Sequence, residues 1–214
     1  MSHYVILRKT GYNSRILGDL LESRKDEWYE TTDKQKTILV VLFLGANDAA
    51  IAGIQGVPLE EFTERMTNIA NAIKTRTNAN IILVTPPPVD TLKWHQVQKE
   101  KTAFFNPSFT KEQVEQTPVD RTLESAGSYA KAVCKIAEKI GAPVVDIYTS
   151  MQNSGEPLAT LLSDGLHLSA AGNAHLFNAL TNCILNQVPS VAPDNIEKDF
   201  HEWRDAIANF EKKA

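Results

Sequence analysis

The chain has 214 residues and a formal net charge of -4, with 43% hydrophobic and 22% charged residues. These values are typical of a soluble globular protein, and the acidic balance argues against nucleic acid as a partner. We find no stretch long and apolar enough to span a membrane and no signal-peptide pattern. The sequence therefore predicts one domain over residues 1–214. Cys134 and Cys183 look like reduced thiols in helical patterns, which predicts a cytoplasmic setting. Oligomeric state is not predicted.

Short apolar runs rich in β-branched residues alternate with helical patterns along the chain. This alternation predicts an α/β fold, in which βαβ units build a parallel sheet. One run is continuously apolar, as expected for an interior strand covered by helices on both faces. That run is Thr37–Leu44, and the others are Tyr4–Leu7, Asn80–Thr85 and Pro143–Tyr148.

Three longer segments have apolar residues spaced three and four apart, which predicts amphipathic helices. Pro58 can open the first helix, whose apolar stripe runs from Leu59 to Ile73. The second is expected from Asp120 and ends at Gly141. Ser169 can cap the third, with Leu176, Phe177, Leu180 and Ile184 facing inward. Trp94–Phe105 is interpreted as a pocket-wall loop without a readable specificity code.

The tetrapeptide Gly45-Ala46-Asn47-Asp48 follows the continuously apolar strand. Ligands of open α/β sheets bind beyond the carboxyl ends of the strands, so this is a candidate site position. The amide of Asn47 could donate to the negative oxygen that forms when an ester carbonyl is attacked. The alternative is that Asn47 and Asp48 only make a turn and cap the segment that follows.

Asp164 precedes His167 by three residues in Asp164-Gly165-Leu166-His167. In a tight loop the carboxylate can reach the imidazole, fix its tautomer and support the imidazolium that forms when the other ring nitrogen takes a proton. Two alternatives remain at this point: the pair could simply tie the loop, or Asp164 and His167 could bind a metal together with His175.

Taken together, these blocks resemble the SGNH (GDSL-type) serine hydrolases, and most closely the isoamyl acetate-hydrolysing esterases among them. The resemblance extends nearly end to end. It rests on Phe43-Leu44-Gly45-Ala46-Asn47-Asp48-Ala49, Asp164-Gly165-Leu166-His167-Leu168-Ser169, Ile6-Leu7-Arg8 with Gly11-Tyr12-Asn13-Ser14-Arg15, Val57-Pro58-Leu59 with Phe62, Pro86-Pro87-Pro88-Val89-Asp90, and Glu202-Trp203-Arg204-Asp205.

The resemblance implies roles for individual residues. His167 would be the general base and Asp164 its orienting carboxylate, while Asn47 and the backbone N–H of Gly11 would be oxyanion donors. The substrate would be a small ester, with no metal and no cofactor. The family's Gly-Asp-Ser block, which carries the serine nucleophile, has no counterpart: Gly18-Asp19-Leu20 lies in a helical pattern, Ser14 is expected to cap that helix, and Ser163 is expected to bond to backbone groups.

The resemblance also implies a three-layer α/β/α, flavodoxin-like sheet from which the first strand is missing. Tyr4–Leu7 would then pair with the strand at 38–44, or both would leave backbone groups unpaired at about 1–3 kcal/mol each if buried. We therefore expect lower stability than in relatives that have this strand. Three functions remain: an esterase for short acyl esters by acyl-enzyme chemistry, an inactive binding or regulatory protein, and a metal-assisted hydrolase.

Overall fold

A computed structural model describes residues 11–23, 39–77 and 79–195. Its described part contains a three-stranded parallel sheet of β1 (Leu39–Phe43), β2 (Asn80–Val84) and β3 (Val144–Val145), in the order β1-β2-β3. Val41 pairs with Ile82, and Leu83 pairs with Val144. The predicted α/β class and parallel sheet are confirmed.

Helices connect and flank these strands. In chain order they are α1 (Ser14–Ser23), α2 (Leu59–Arg76), α3 (Thr91–Phe105), α4 (Lys111–Glu115), α5 (Leu123–Ile140), α6 (Ile147–Gln152), α7 (Leu158–Leu161) and α8 (Ala170–Gln187), followed by 3-10 turns at Pro189–Val191 and Pro193–Asn195. Within the part of the chain that is described, no helix is both long and apolar enough to cross a bilayer.

Helices α2 and α5 cover one face of the sheet. Phe62 and Met66 of α2 are fully buried against Val133 and Ile136 of α5, and Leu83 of β2 belongs to the same cluster. The predicted apolar stripes of both helices are confirmed over most of their length. Leu59 is the exception, because it remains 40% exposed at the first position of α2, which Pro58 precedes as N-cap.

Helices α6 and α8 cover the opposite face, which makes three layers. Ile82 and Val84 of β2 pack there with Ile147, Met151 and Cys183. Successive residues of β2 point to opposite faces, so covering both faces requires an uninterrupted apolar run. Cys134 and Cys183 are free thiols, and burial raises the pKa of each.

Several details of the expected elements are corrected. Val41 and Phe43 of β1 are 40% and 39% exposed, so among the described elements this strand is covered less completely on the α6 and α8 face than β2, although Leu39 packs there. Phe177 does not face inward, since it is 67% exposed on α8.

Two segments differ in type from what was expected. The strand expected at Pro143–Tyr148 stops after Val145, because the side chain of Asp146 accepts from the Thr149 N–H and caps α6. The stretch Trp94–Phe105 is no loop but the body of α3, which Asp90 caps. The expected strand Tyr4–Leu7 lies outside the described residues, so its pairing and its effect on stability stay predictions.

Candidate active site

Asp164 and His167 form a hydrogen-bonded pair in the loop that precedes α8. The Oδ2 atom of Asp164 lies 2.8 Å from Nδ1 of His167. Because an ionised carboxylate only accepts, the proton of this bond resides on Nδ1, and the lone pair of neutral His167 is on Nε2. The His167 side chain is 63% exposed, so Nε2 is open to a reacting group. The pair has the geometry of an oriented base.

Backbone bonds hold this loop in a tight conformation. The Oδ1 atom of Asp164 accepts from the N–H groups of Leu166 and His167, at 3.0 and 2.8 Å. Burial by itself would raise the pKa of Asp164, but these bonds and the imidazole outweigh it and hold that pKa below its ordinary value. Asp164 therefore stays ionised beside the ring.

The loop of residues 163–167, called the base loop below, is also held by hydrogen bonds between its two ends. Ser163 donates to the His167 carbonyl through both its N–H and its hydroxyl, at 2.8 and 3.1 Å. The Ser163 hydroxyl thus bonds to a backbone carbonyl, as the sequence predicts. Ser169 caps α8 by accepting from the Gly172 N–H, which confirms the predicted helix start. The bonds that tie the loop and the bond that orients the imidazole lie in one segment.

Gly165 fixes the base loop against the start of α3. Its φ of 91° is in the left-handed region, and its carbonyl accepts from the Asp90 N–H at 2.9 Å. A Cβ atom at this position would lie 2.6 Å from the backbone nitrogen of Trp94. Only glycine therefore allows this approach. Since Asp90 and Trp94 follow β2, this contact holds the loop of His167 beyond the carboxyl end of β2.

Asn47 lies beyond the carboxyl end of β1, and both ends of its amide are bonded. Its Nδ2 donates to the Tyr12 carbonyl at 2.8 Å, and its Oδ1 accepts from Arg121 at 3.1 Å. Among the described residues, the second Nδ2 hydrogen has no acceptor. The predicted turn is also present, since the Ala50 N–H donates to the Asn47 carbonyl at 3.2 Å.

Asp48 caps a helix other than the one expected. Its Oδ1 accepts from the N–H of Ser14, at the start of α1, at 2.8 Å. The alternative that it caps the segment following it is therefore wrong. Burial raises the pKa of the Asp48 carboxyl, and hydrogen bonding from Ser14 opposes this only in part. The carboxyl joins the Asn47 loop to the start of α1.

Gly11 and Asn13 precede α1. Asn13 Oδ1 accepts from the Ile16 N–H at 3.0 Å, so Asn13 makes the capping bond that was expected of Ser14. Gly11 has a φ of 86°, and its N–H donates to no described residue. Gly18 and Asp19 lie within α1, which confirms that they do not form a nucleophile turn.

Three residues that connect the predicted ones were not predicted as site residues: Arg121, Gln55 and Trp94. Arg121 is 3% exposed and bonds to Asn47 and Gln55, while Trp94 packs its ring edge-on against His167 with ring centroids 5.9 Å apart. The available signal was Asp120-Arg121, a charged pair immediately before an apolar helix. Trp94 was missed because its segment was interpreted as a loop.

The proposed third metal ligand lies elsewhere. His175 is on α8, where its Nε2 is 2.9 Å from the hydroxyl of Ser150 on α6, and Asp164 is engaged with His167. Within residues 11–23, 39–77 and 79–195, no group of three or more His, Cys, Asp or Glu side chains could hold a metal ion.

The GDSL-like Lipase/Acylhydrolase family matches residues 2–175 of the sequence. The chain belongs to this family. The chain is similar to the isoamyl acetate-hydrolyzing esterase 1 homolog of Bos taurus, with 31% identity over 85% of this chain and 68% of the relative. The isoamyl acetate-hydrolyzing esterase of Saccharomyces cerevisiae is 30% identical over 92% of this chain and 75% of its own length.

Solved structures show the same fold for this GDSL-like family member. A lipase/acylhydrolase from Enterococcus faecalis superposes with a TM-score of 0.56 at 23% identity, covering 81% of this chain and 71% of that one. An acetylxylan esterase from Geobacillus stearothermophilus gives 0.54 at 22% identity, covering 81% and 68%. The predicted family and its class, hydrolases acting on ester bonds, are confirmed at the level of the family.

Proposed function

We propose that this site hydrolyses short-chain carboxylic esters of the acetate type, with His167 as general base and Asp164 as the carboxylate that orients it. The 2.8 Å bond between Asp164 Oδ2 and His167 Nδ1 carries this proposal, because it leaves an exposed Nε2 as proton acceptor. The named activity of the yeast and bovine relatives supports the substrate class.

The oxyanion donors are the Asn47 amide and the Gly11 N–H. When a hydroxyl attacks the ester carbonyl, its proton passes to His167 Nε2, and the carbonyl oxygen becomes negative. The free N–H of Asn47 and that of Gly11 donate to this oxygen, and one such side-chain donor is worth about 3 kcal/mol in the transition state. His167 then returns the proton to the departing alcohol.

The source of the attacking hydroxyl decides between two functions for this chain, ester hydrolysis and ester binding without turnover. In family members with the Gly-Asp-Ser block, the resemblance implies that a serine attacks and an acyl-enzyme forms. The 214 residues contain no Gly-Asp-Ser, and no described serine hydroxyl bonds to His167 Nε2. For these 214 residues taken alone, the proposed base and oxyanion donors would assist slow attack by water on activated esters. The same observation favours a second candidate, a protein that binds esters without turning them over.

Hydrolysis of p-nitrophenyl acetate by the whole 214-residue chain tests the proposal. We expect slow turnover that His167→Ala abolishes and that Asn47→Ala lowers about 10²–10³-fold, the usual effect of losing an oxyanion donor. His175→Gln is the matched control, since this histidine bonds to Ser150 outside the site. Turnover that survives His167→Ala would refute the role of the base.

Two further results separate the candidates. A fluorophosphonate probe followed by intact-mass measurement should give no adduct, and an adduct on any serine of the 214 residues would overturn the water mechanism. Complete absence of turnover, together with saturable binding of isoamyl acetate, would replace the hydrolase with the binding protein.

A further inference from the structure

Arg121 is a buried arginine at the centre of the site, and the mechanism above gives it no task. It immediately precedes the N-cap of α5, and its side chain is 4% exposed. Its Nε donates to the Ala46 carbonyl at 3.1 Å, and its Nη1 bonds to Asp120 Oδ2 at 2.5 Å. A guanidinium buried this deeply needs such partners, because an unpaired one is costly to desolvate. Its remaining bonds lead to the oxyanion donors.

The first of these bonds, together with the bond from Asn47 Nδ2 to the Tyr12 carbonyl, fixes which way the Asn47 amide points. Arg121 Nη2 donates to Asn47 Oδ1 at 3.1 Å. Arginine has donors only, so the amide atom facing it must be the oxygen, and the NH2 group must face the Tyr12 carbonyl and the cleft. Without Arg121, only the Tyr12 carbonyl would hold the amide against rotation, and a rotated amide would present its oxygen, which cannot stabilise an oxyanion.

The second bond reaches the Gly11 side of the site. Arg121 Nη2 also donates to Gln55 Oε1 at 2.6 Å, which orients the Gln55 Nε2 toward the Gly11 carbonyl, 3.5 Å away. The backbone carbonyl of Gln55 in turn accepts from the Asn13 side-chain amide at 2.9 Å. One guanidinium therefore bonds to Asn47 and also to Gln55, whose side chain approaches the Gly11 carbonyl.

A third set of contacts connects Arg121 to the base. Asp120, its ion-pair partner, accepts from the Trp94 indole N–H at 2.6 Å, and the Trp94 ring packs against His167. The guanidinium carbon lies 6.0 Å from the centre of the Trp94 ring. These bonds and this ring contact join Asn47 to His167, which comes from a different loop, in one network with the buried Arg121 at its centre.

We propose that Arg121 is a positioning residue that fixes the Asn47 amide with its N–H toward the substrate. This inference rests on the proposed function for its catalytic meaning, but the orientation of the amide can be measured without turnover. With 4% of its side chain exposed, Arg121 acts through Asn47 and Gln55 and does not touch the substrate.

Side-chain amide NMR of the whole chain tests the orientation directly. The Asn47 NH2 signals are assigned by their disappearance in Asn47→Ala. We expect Arg121→Gln to shift both signals and to speed their exchange with solvent at least tenfold, and Arg121→Lys to have a smaller effect because one ammonium can keep one bond. Arg65→Gln is the matched control: this arginine bonds to Glu61 on α2 and should leave Asn47 unchanged.

An unchanged Asn47 signal in a folded Arg121→Gln or Arg121→Lys variant would overturn the proposal. So would an equal change in Arg65→Gln, since it would indicate general loosening of the fold. If Arg121→Gln does not fold by circular dichroism, Arg121→Lys decides alone.

Kinetics then separate this inference from the proposed function. With p-nitrophenyl acetate we expect Arg121→Gln to lower kcat at least tenfold, with KM within twofold, and millimolar guanidinium to restore part of the loss. Turnover with an unchanged kcat in this variant would refute the positioning role and leave the hydrolase standing. An altered Asn47 signal with no turnover in the unmodified chain would refute the hydrolase and leave the positioning role standing.

Discussion

Gly165→Ala should disrupt the site through packing, and Gly155→Ala provides its matched control. Both glycines have left-handed φ values, 91° and 80°. A Cβ atom at Gly155 meets nothing within 4 Å, whereas at Gly165 it would lie 2.6 Å from the Trp94 nitrogen and 2.9 Å from the Asp90 carbonyl oxygen. The two substitutions therefore share a backbone cost and differ in steric clash.

The expected magnitudes follow from these two terms. An alanine held in the left-handed region costs about 1–2 kcal/mol, and the stiffer unfolded chain offsets about 0.4–1 kcal/mol of that. Gly155→Ala should lower the free energy of unfolding by roughly 1 kcal/mol. Gly165→Ala adds overpacking against rigid backbone, about 1–3 kcal/mol. Its total loss should be about 2–4 kcal/mol.

Urea unfolding at 25 °C, followed by circular dichroism, measures both losses. The contact between the base loop and α3 predicts that Gly165→Ala is the more destabilising of the two by at least about 1 kcal/mol, the lower end of the overpacking cost. Equal losses in the two variants would show that the loop does not approach α3 as closely as the structure places it, and the reasoning would fail.

Three other perturbations test the site and the core. Because burial raises the Asp48 pKa, the folded state holds that proton more tightly, so stability falls as pH rises above the ordinary value of 3.8; Asp48→Asn should flatten this fall in urea titrations between pH 4 and 7. The Asp164 pKa is lowered instead, so its contribution is present above 3.8 and lost as pH falls through the lower folded value. Asp164→Asn should lower the free energy of unfolding by about 1 kcal/mol at pH 7 and leave it unchanged in strong acid. The same substitution should abolish His167-dependent turnover, since an amide that donates to Nδ1 moves the ring proton to Nε2. Phe62→Ala should cost about 3–5 kcal/mol in chemical denaturation, against under about 0.5 kcal/mol for Phe104→Ala, because the first ring is fully buried and the second is 79% exposed; similar losses would contradict the assigned core.

The sequence predicted those parts of the site that depend on short spacing. Asp164 and His167 are three residues apart, so their bond needs only a tight loop, and Ser169 caps the helix that follows within the same segment. Asn47 was predicted from its place after a strand, since the carboxyl end of a strand is defined by local pattern. Its hydrogen-bond partners were not predictable in this way.

Those partners come from distant segments, which only tertiary packing brings together. Arg121 is 74 residues from Asn47, and the Asp48 carboxylate caps a helix that begins 34 residues earlier. Spacing carries no information about such contacts, because they depend on how the sheet places its loops beside one another.

The sequence by itself determined the family and the parallel sheet and predicted the candidate base, since hydrophobic periodicity and local motifs are properties of neighbouring residues. Tertiary structure decided which faces are covered. Phe177 continues the apolar pattern of α8 but is exposed, and Trp94 joins a buried network from a segment that resembled a loop. Burial depends on which elements pack together, and hydrogen-bond direction depends on which donors meet which acceptors; neither is encoded in local pattern.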